Sequence, residues 1–310
     1  MGHMLPHDLR VRRHPGGLGP RTGGRRAGGG ATLLGVPDRT LEALGLATVP
    51  LLQPLTYPGP PGPGPALLAG DRLLPLRPEP GGVGRWRVAE GHTGTGLDEA
   101  LAALGQAPAA ARVPVLALGS NAAPGQVRHK LTRLGLPAVV PFSPAAAGGL
   151  GGGVSGHISG PGYVAAAPYA DGGAGSRLWV TWLDEAQLRA VDGTEMPHYG
   201  RALLPAVEFP VRLPTGERLP GAYVYYNARG VLAGADGRPL PHTRDQPALL
   251  ARLLAASARL RDLLGPAPRD WVARAGADAA AREAGTRIFR EEGWLLPERA
   301  FAAYDAGAGG

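Results

Sequence analysis

The stretch from Val113 to Gln126, VPVLALGSNAAPGQ, constrains this chain more than any other. Val113–Leu118 is an unbroken apolar run of strand length that stops on Gly119-Ser120-Asn121, after which Val127, Leu131 and Leu134 return at helical spacing. A buried strand running through such a turn into a helix leaves unpaired backbone N–H groups at the helix head. Those amides and the helix dipole favour a carboxylate or a phosphate. Gly119 lets the backbone approach a ligand closely, and Ser120 and Asn121 are good N-cap residues with further donors.

Downstream, the pattern stays mixed. Gly135 marks the end of the first helix, Ala138–Phe142 is a short strand, and Gly148–Gly153 is a flexible turn. Val154–Ile158 and Tyr163–Ala167 pair about Gly160-Pro161-Gly162. Arg177–Leu183 is a strand that hands over to a short helix, Asp184–Val191, with Asp184 as cap and Gln187 in the box position. Tyr199–Leu204, Val207–Leu213 and Leu219–Tyr226 are extended, the last with Tyr223 and Tyr225 on one face. Thr243-Arg-Asp-Gln246 opens a leucine-faced helix to about Leu264, and helical stretches follow from Trp271 to Tyr304.

Three divisions follow. Residues 1–31 are Gly, Pro and Arg with almost nothing apolar to bury, and are expected to be a disordered basic tail. Residues 32–111 form an N-terminal extension, either packed on the next domain or mostly irregular, with candidate short strands at Leu67–Leu76 and Trp86–Val88 and a helix at Asp98–Leu104. Residues 112–304 carry the main domain and its C-terminal helices.

Composition narrows the function classes. The net charge of +7 comes largely from the tail, where six Arg face one Asp, so the remainder is close to neutral. Neutralising phosphates needs clustered cations, so no nucleic-acid partner is expected. With no cysteine, disulfides, thiolate metal sites and a Cys nucleophile are excluded. His129, His157 and His198 lack metal-site spacing, and neither a metal nor a cofactor is expected. The glycine run Gly149–Gly156 imitates a dinucleotide loop but lacks a following helix. No apolar run approaches the roughly 18 residues of a membrane span, and a cytoplasmic protein is expected. Of 32 basic residues only Lys130 is a lysine, a mark of coding bias.

A strand, Gly-Ser-Asn and a helix are followed in order by WVTWLDEAQLRAVDGTEMPHYGRALLP (residues 179–205) and GAYVYYN (Gly221–Asn227). In that order and spacing the chain resembles the gamma-glutamylcyclotransferase-like family from Val113 to about Leu264. The resemblance implies an α+β fold, a small mixed β-barrel with flanking helices. It implies intramolecular attack of an alpha-amine on a gamma-glutamyl amide, releasing 5-oxoproline and an amine. Carried over residue by residue, Glu195 is the catalytic base, Gly119, Ser120, Asn121 and Ala122 cradle the substrate carboxylate, and Tyr199, Tyr223 and Tyr225 supply pocket tyrosines. Leu118 stands where the family usually carries Tyr, and Met196-Pro197 follows Glu195 in place of glycine.

The chemistry has its own logic. Closing a five-membered ring joins groups of one molecule, so much of the entropic barrier is already removed. A carboxylate in a partly dry pocket, its pKa raised by desolvation, can take the amine proton and return it to the leaving group. The same loop without that chemistry would make a non-catalytic module for a small carboxylate, and the two readings part at Glu195.

Overall fold

The computed structural model describes residues 38–89, 94–173, 175–195 and 199–306. The tail of residues 1–31, Met196-Pro197, His198 and the last four residues lie outside them. The described residues belong to one compact unit.

In chain order the strands β1 (Ala66–Ala69), β2 (Arg72–Arg77), β3 (Arg87–Val88) and β4 (Thr95–Gly96) precede helix α1 (Leu97–Ala103). Then come β5 (Val113–Ala117), α2 (Pro124–Arg133), β6 (Val139–Ala147), β7 (Leu150–Ile158), β8 (Val164–Ala170), β9 (Ser176–Leu183) and α3 (Glu185–Glu195). β10 (Tyr199–Pro205), β11 (Val211–Arg212), β12 (Gly221–Asn227) and β13 (Val231–Leu232) follow. The chain closes with α4 (Gln246–Ala256), α5 (Ala258–Leu264), α6 (Pro268–Ala277), α7 (Ala279–Glu291) and β14 (Leu295–Leu296).

The fold is mixed α+β. Among the described residues the strands form two open sheets, and the expected small barrel does not close. The larger runs β10-β12-β5-β9-β6-β1-β2-β3-β4, with β11 also on β6; the smaller runs β14-β13-β7-β8. β12 and β5 are parallel, while β5 is antiparallel to β9, as β9 is to β6. β8 packs beside β12 without joining its ladder. The rings of Tyr57, Tyr163, Tyr199 and Tyr225 line one cavity, which both sheets help to wall.

Residues 38–111 are not an irregular extension. β1 pairs in register with β6, so this segment continues the main sheet. Trp86, Leu97 and Leu101 are buried in the same cluster as Leu116, Val180 and Val224. The glycine run is likewise strand and not turn, because the reversal sits at Gly148-Gly149, where Gly149 has φ +72°. Within β7 a Cβ on Gly151 would lie 2.1 Å from the Tyr169 ring, so only glycine lets that ring cross the strand.

Helix boundaries shift for reasons of capping. α3 begins with the reciprocal box expected, Gln187 N–H donating to Asp184 Oδ1 at 2.9 Å and Asp184 N–H to Gln187 Oε1 at 3.2 Å. It continues past Val191 to Glu195, which is therefore the last helical residue and not part of a turn. Asp245, rather than Thr243, caps α4 through Ala248 N–H. The long helix expected to reach Leu264 breaks at Ser257, whose hydroxyl caps α5 through Leu260 N–H and donates to Glu292. α4 to α7 bury Leu250, Leu260, Trp271 and Phe289 against Val154 and Ile158 of β7.

Candidate active site

The parallel pair β5 and β12 points the C-terminal end of β5 into a cavity of about 420 Å³. Leu118, Gly119, Ser120 and Asn121 form one wall, α2 a second through His129 and Lys130, and the end of α3 a third through Thr194 and Glu195. Tyr57, Tyr163, Tyr199 and Tyr225 line the remainder.

Ser120–Ala122 is a single 3-10 turn, and α2 starts only at Pro124. The helix head expected at Asn121 is thus displaced to Pro124, and α2 faces the cavity along one side, through Gln126, His129, Lys130 and Arg133. Ala122 N–H closes the turn onto Gly119 C=O at 3.0 Å and Ala123 N–H onto Ser120 C=O at 3.0 Å. The amides of Gly119, Ser120 and Asn121 make no such bond among the described residues. Ala122 itself faces a different recess, beside Arg177 and His242.

Glu195, far from the loop in sequence, meets it directly. Its Oε1 accepts from Asn121 Nδ2 at 3.2 Å and from Lys130 Nζ at 2.7 Å, while Lys130 also donates to Asn121 Oδ1 at 2.9 Å. The Lys130 and Glu195 side chains are only 10% and 17% exposed. A carboxylate at a helix C-terminus faces the negative end of the dipole, and the ammonium offsets that. Oε2 has no partner among the described residues.

The tyrosines divide. Tyr199 and Tyr225 line the cavity, whereas Tyr223 lies outside it under the Arg201 guanidinium, 4.9 Å from the ring centre. Tyr225 donates to Asp192 Oδ1 at 2.6 Å, and Arg201 pairs with the other oxygen of Asp192. Arg201 and Asp192 therefore form a largely buried pair that fixes Tyr225. Burial pushes the phenols of Tyr57, Tyr163 and Tyr199 well above their usual range, with the Glu195 charge adding to the effect. They stay protonated and offer hydroxyl donors. Tyr225 is raised likewise, by burial and then by its bond to Asp192.

Beneath Tyr199 lies a buried polar cluster. Asn227 Oδ1 accepts from Arg229 N–H, which orients its amide so that Nδ2 donates to Ser155 Oγ at 2.6 Å and to His157 Nδ1 at 2.9 Å. Nδ1 is therefore an acceptor and the ring proton lies on Nε2. The His157 ring meets Tyr199 edge-on at 5.4 Å.

Sequence reasoning missed Lys130, Tyr57, Tyr163 and His157. For Lys130 a signal existed, a single lysine in a chain that otherwise uses arginine. Tyr57 carried none, sitting in a Pro-Gly loop whose Tyr57 oxygen accepts from Ala166 N–H at 2.8 Å across the fold. Among the described residues no group of three or more His, Asp or Glu could hold a metal, and no helix is long and apolar enough to cross a membrane.

Compared with protein-family models, curated proteins and solved structures, the chain gives no match. The functional reading therefore rests on the site alone and on the resemblance drawn above.

Proposed function

We propose that this chain is a gamma-glutamylcyclotransferase-like enzyme with Glu195 as its base. One observation carries the reading: Glu195 and the Gly119–Asn121 loop meet across one cavity of a size that holds a small folded-back amino acid derivative. In this reading the alpha-ammonium of a gamma-glutamyl amide passes a proton to Glu195 Oε2. The freed amine forms a bond to the gamma-carbonyl carbon, and the oxyanion that develops accepts from the amides of Gly119 and Ser120. Protonated Glu195 then gives its proton to the departing nitrogen as the amide bond breaks, its carboxylate takes the second proton from the ring nitrogen and passes it to the released amine, and 5-oxoproline and an ammonium leave. The protonated tyrosines keep that part of the cavity lined with neutral hydroxyl groups. An unclosed form of that family's small mixed barrel belongs to this proposal as well, its strands divided here between two sheets.

A second reading is a non-catalytic module for a small carboxylate ligand. It is favoured by Lys130, which holds Oε1 and neutralises the acid. The measurement is release of 5-oxoproline from a panel of gamma-glutamyl amines. Glu195→Gln should lower kcat by roughly 10²–10⁴, well beyond any weakening of binding from losing the carboxylate's hold on the substrate ammonium. A wild type that converts none of the panel leaves only the binding module.

A further inference from the structure

Lys130 sits where no ordinary surface lysine would. Its ammonium has three protons, and two are committed, to Glu195 Oε1 at 2.7 Å and Asn121 Oδ1 at 2.9 Å. Glu195 mirrors this, with Oε1 doubly engaged and Oε2 without a partner among the described residues. One ammonium proton and one carboxylate oxygen therefore stand side by side on the wall of a cavity. Every other basic side chain counted in the charge balance is arginine. An ammonium is a compact point charge on a flexible stem, whereas a guanidinium is a broad planar fork. A lysine here can hold Glu195 and still turn its remaining donor to a ligand.

From this geometry we propose that Lys130 and Glu195 together form a receptor for a zwitterion, Lys130 binding the ligand's carboxylate and Glu195 its ammonium. An alpha-amino acid end carries both groups on one carbon, so both reach the neighbouring pair at once. A ligand with only an ammonium would satisfy Glu195 and leave the Lys130 donor unused. A ligand with only a carboxylate would sit beside Oε2 and be repelled by it. The inference deepens the reading above and rests on the same cavity. It makes Lys130 a specificity residue for substrates with a free alpha-amino acid end, alongside the amides of the Gly119 loop.

The test uses three unreactive probes of matched skeleton: L-norvaline, with both charges, butan-1-amine, with the ammonium alone, and pentanoate, with the carboxylate alone. None has a gamma-amide, so none can cyclise and binding is read without turnover. NMR-detected titration of the full chain should rank L-norvaline first. Lys130→Met should weaken L-norvaline about tenfold or more, the scale of one charge-assisted hydrogen bond, and change butan-1-amine by less than about threefold on the same basis. Lys130→Arg, which keeps a cation but spreads it over a planar fork, should retain the order of the probes with a smaller gap between them.

Equal loss of both ligands in Lys130→Met would overturn the inference, since Lys130 would then only position Glu195. So would a wild type that binds butan-1-amine as well as L-norvaline, or binds neither. Should Lys130→Met fail to fold, the wild-type and Lys130→Arg rankings decide. Failure of the reaction shows separately, as absent 5-oxoproline release from a protein that still ranks the three probes as expected.

Discussion

Replacing Gly119 by alanine should damage this protein through Tyr57 and not through backbone strain. Gly119 has φ −107°, a value any residue adopts. Its constraint is space, because a Cβ there would lie 2.0 Å from the Tyr57 hydroxyl oxygen and 3.1 Å from the ring carbon bearing it. Tyr57 cannot simply step aside. It is 3% exposed, stacked on Tyr163 at 4.3 Å, and its oxygen accepts from Ala166 N–H at 2.8 Å. Moving it by more than an ångström costs about 1–3 kcal/mol of overpacking and about 1–3 kcal/mol for a buried N–H left without its acceptor. Gly119→Ala should therefore destabilise by about 2–6 kcal/mol in all.

Tyr57→Phe alone should cost about 1–3 kcal/mol, from the orphaned Ala166 amide. The double variant decides the matter. Without the hydroxyl, the nearest atom to the new Cβ is the ring carbon at 3.1 Å, which needs a shift of only a few tenths of an ångström. The two changes share one lost hydrogen bond and one clash, so together they should cost at least about 1 kcal/mol less than their sum. Urea unfolding of the four proteins measures this, provided the slopes match. Simple additivity would refute the close approach of the loop to Tyr57.

The other predictions are shorter. Arg112, with a fully buried side chain, donates to the carbonyls of Ala107 and Val139 and to Gln187 Oε1, near Asp184; Arg112→Met should cost about 3–5 kcal/mol in chemical unfolding, and a loss below about 1 kcal/mol would mean water replaces it. Burial, with Arg244 adding, pulls His242 down to about 4 from its ordinary 6.5. Below 6.5 the unfolded chain takes up a proton that the folded one refuses, so His242 contributes stability in full above that pH and loses it as pH falls toward 4. Near pH 5 the deficit should be about 2 kcal/mol, and His242→Phe should remove that part of the pH dependence of unfolding. Glu195→Gln and the Lys130 variants complete the set through 5-oxoproline release and probe binding.

Much of the larger sheet could be read from the chain, because β5, β9 and β12 are apolar runs bounded by Gly, Asp and Asn, and such runs have few other uses. The meeting of Asn121 with Glu195 was legible only through the order of motifs, since 74 positions separate them and no local rule spans that distance. Of the three tyrosines named together from the sequence, Tyr199 and Tyr225 line the cavity and Tyr223 does not. Tyr223 and Tyr225 are two residues apart on one face of β12, so the sequence pattern alone does not tell them apart. The glycine run of β7 was misread because glycine normally marks a turn, and the ring of Tyr169 that requires it comes from the neighbouring strand. The extent of α3 was underestimated because Gly193 and Thr194 suggest a stop, which the pairing of Glu195 with Lys130 overrides.

The pairing of β1 with β6 has a consequence for anyone who shortens this chain. A polypeptide begun at Val113 would keep every residue of the proposed chemistry except Tyr57, yet it would expose Val139–Phe142 as a bare rim with unsatisfied amides and carbonyls. Such rims recruit strands from other molecules, and clumping rather than unfolding is the fate to expect.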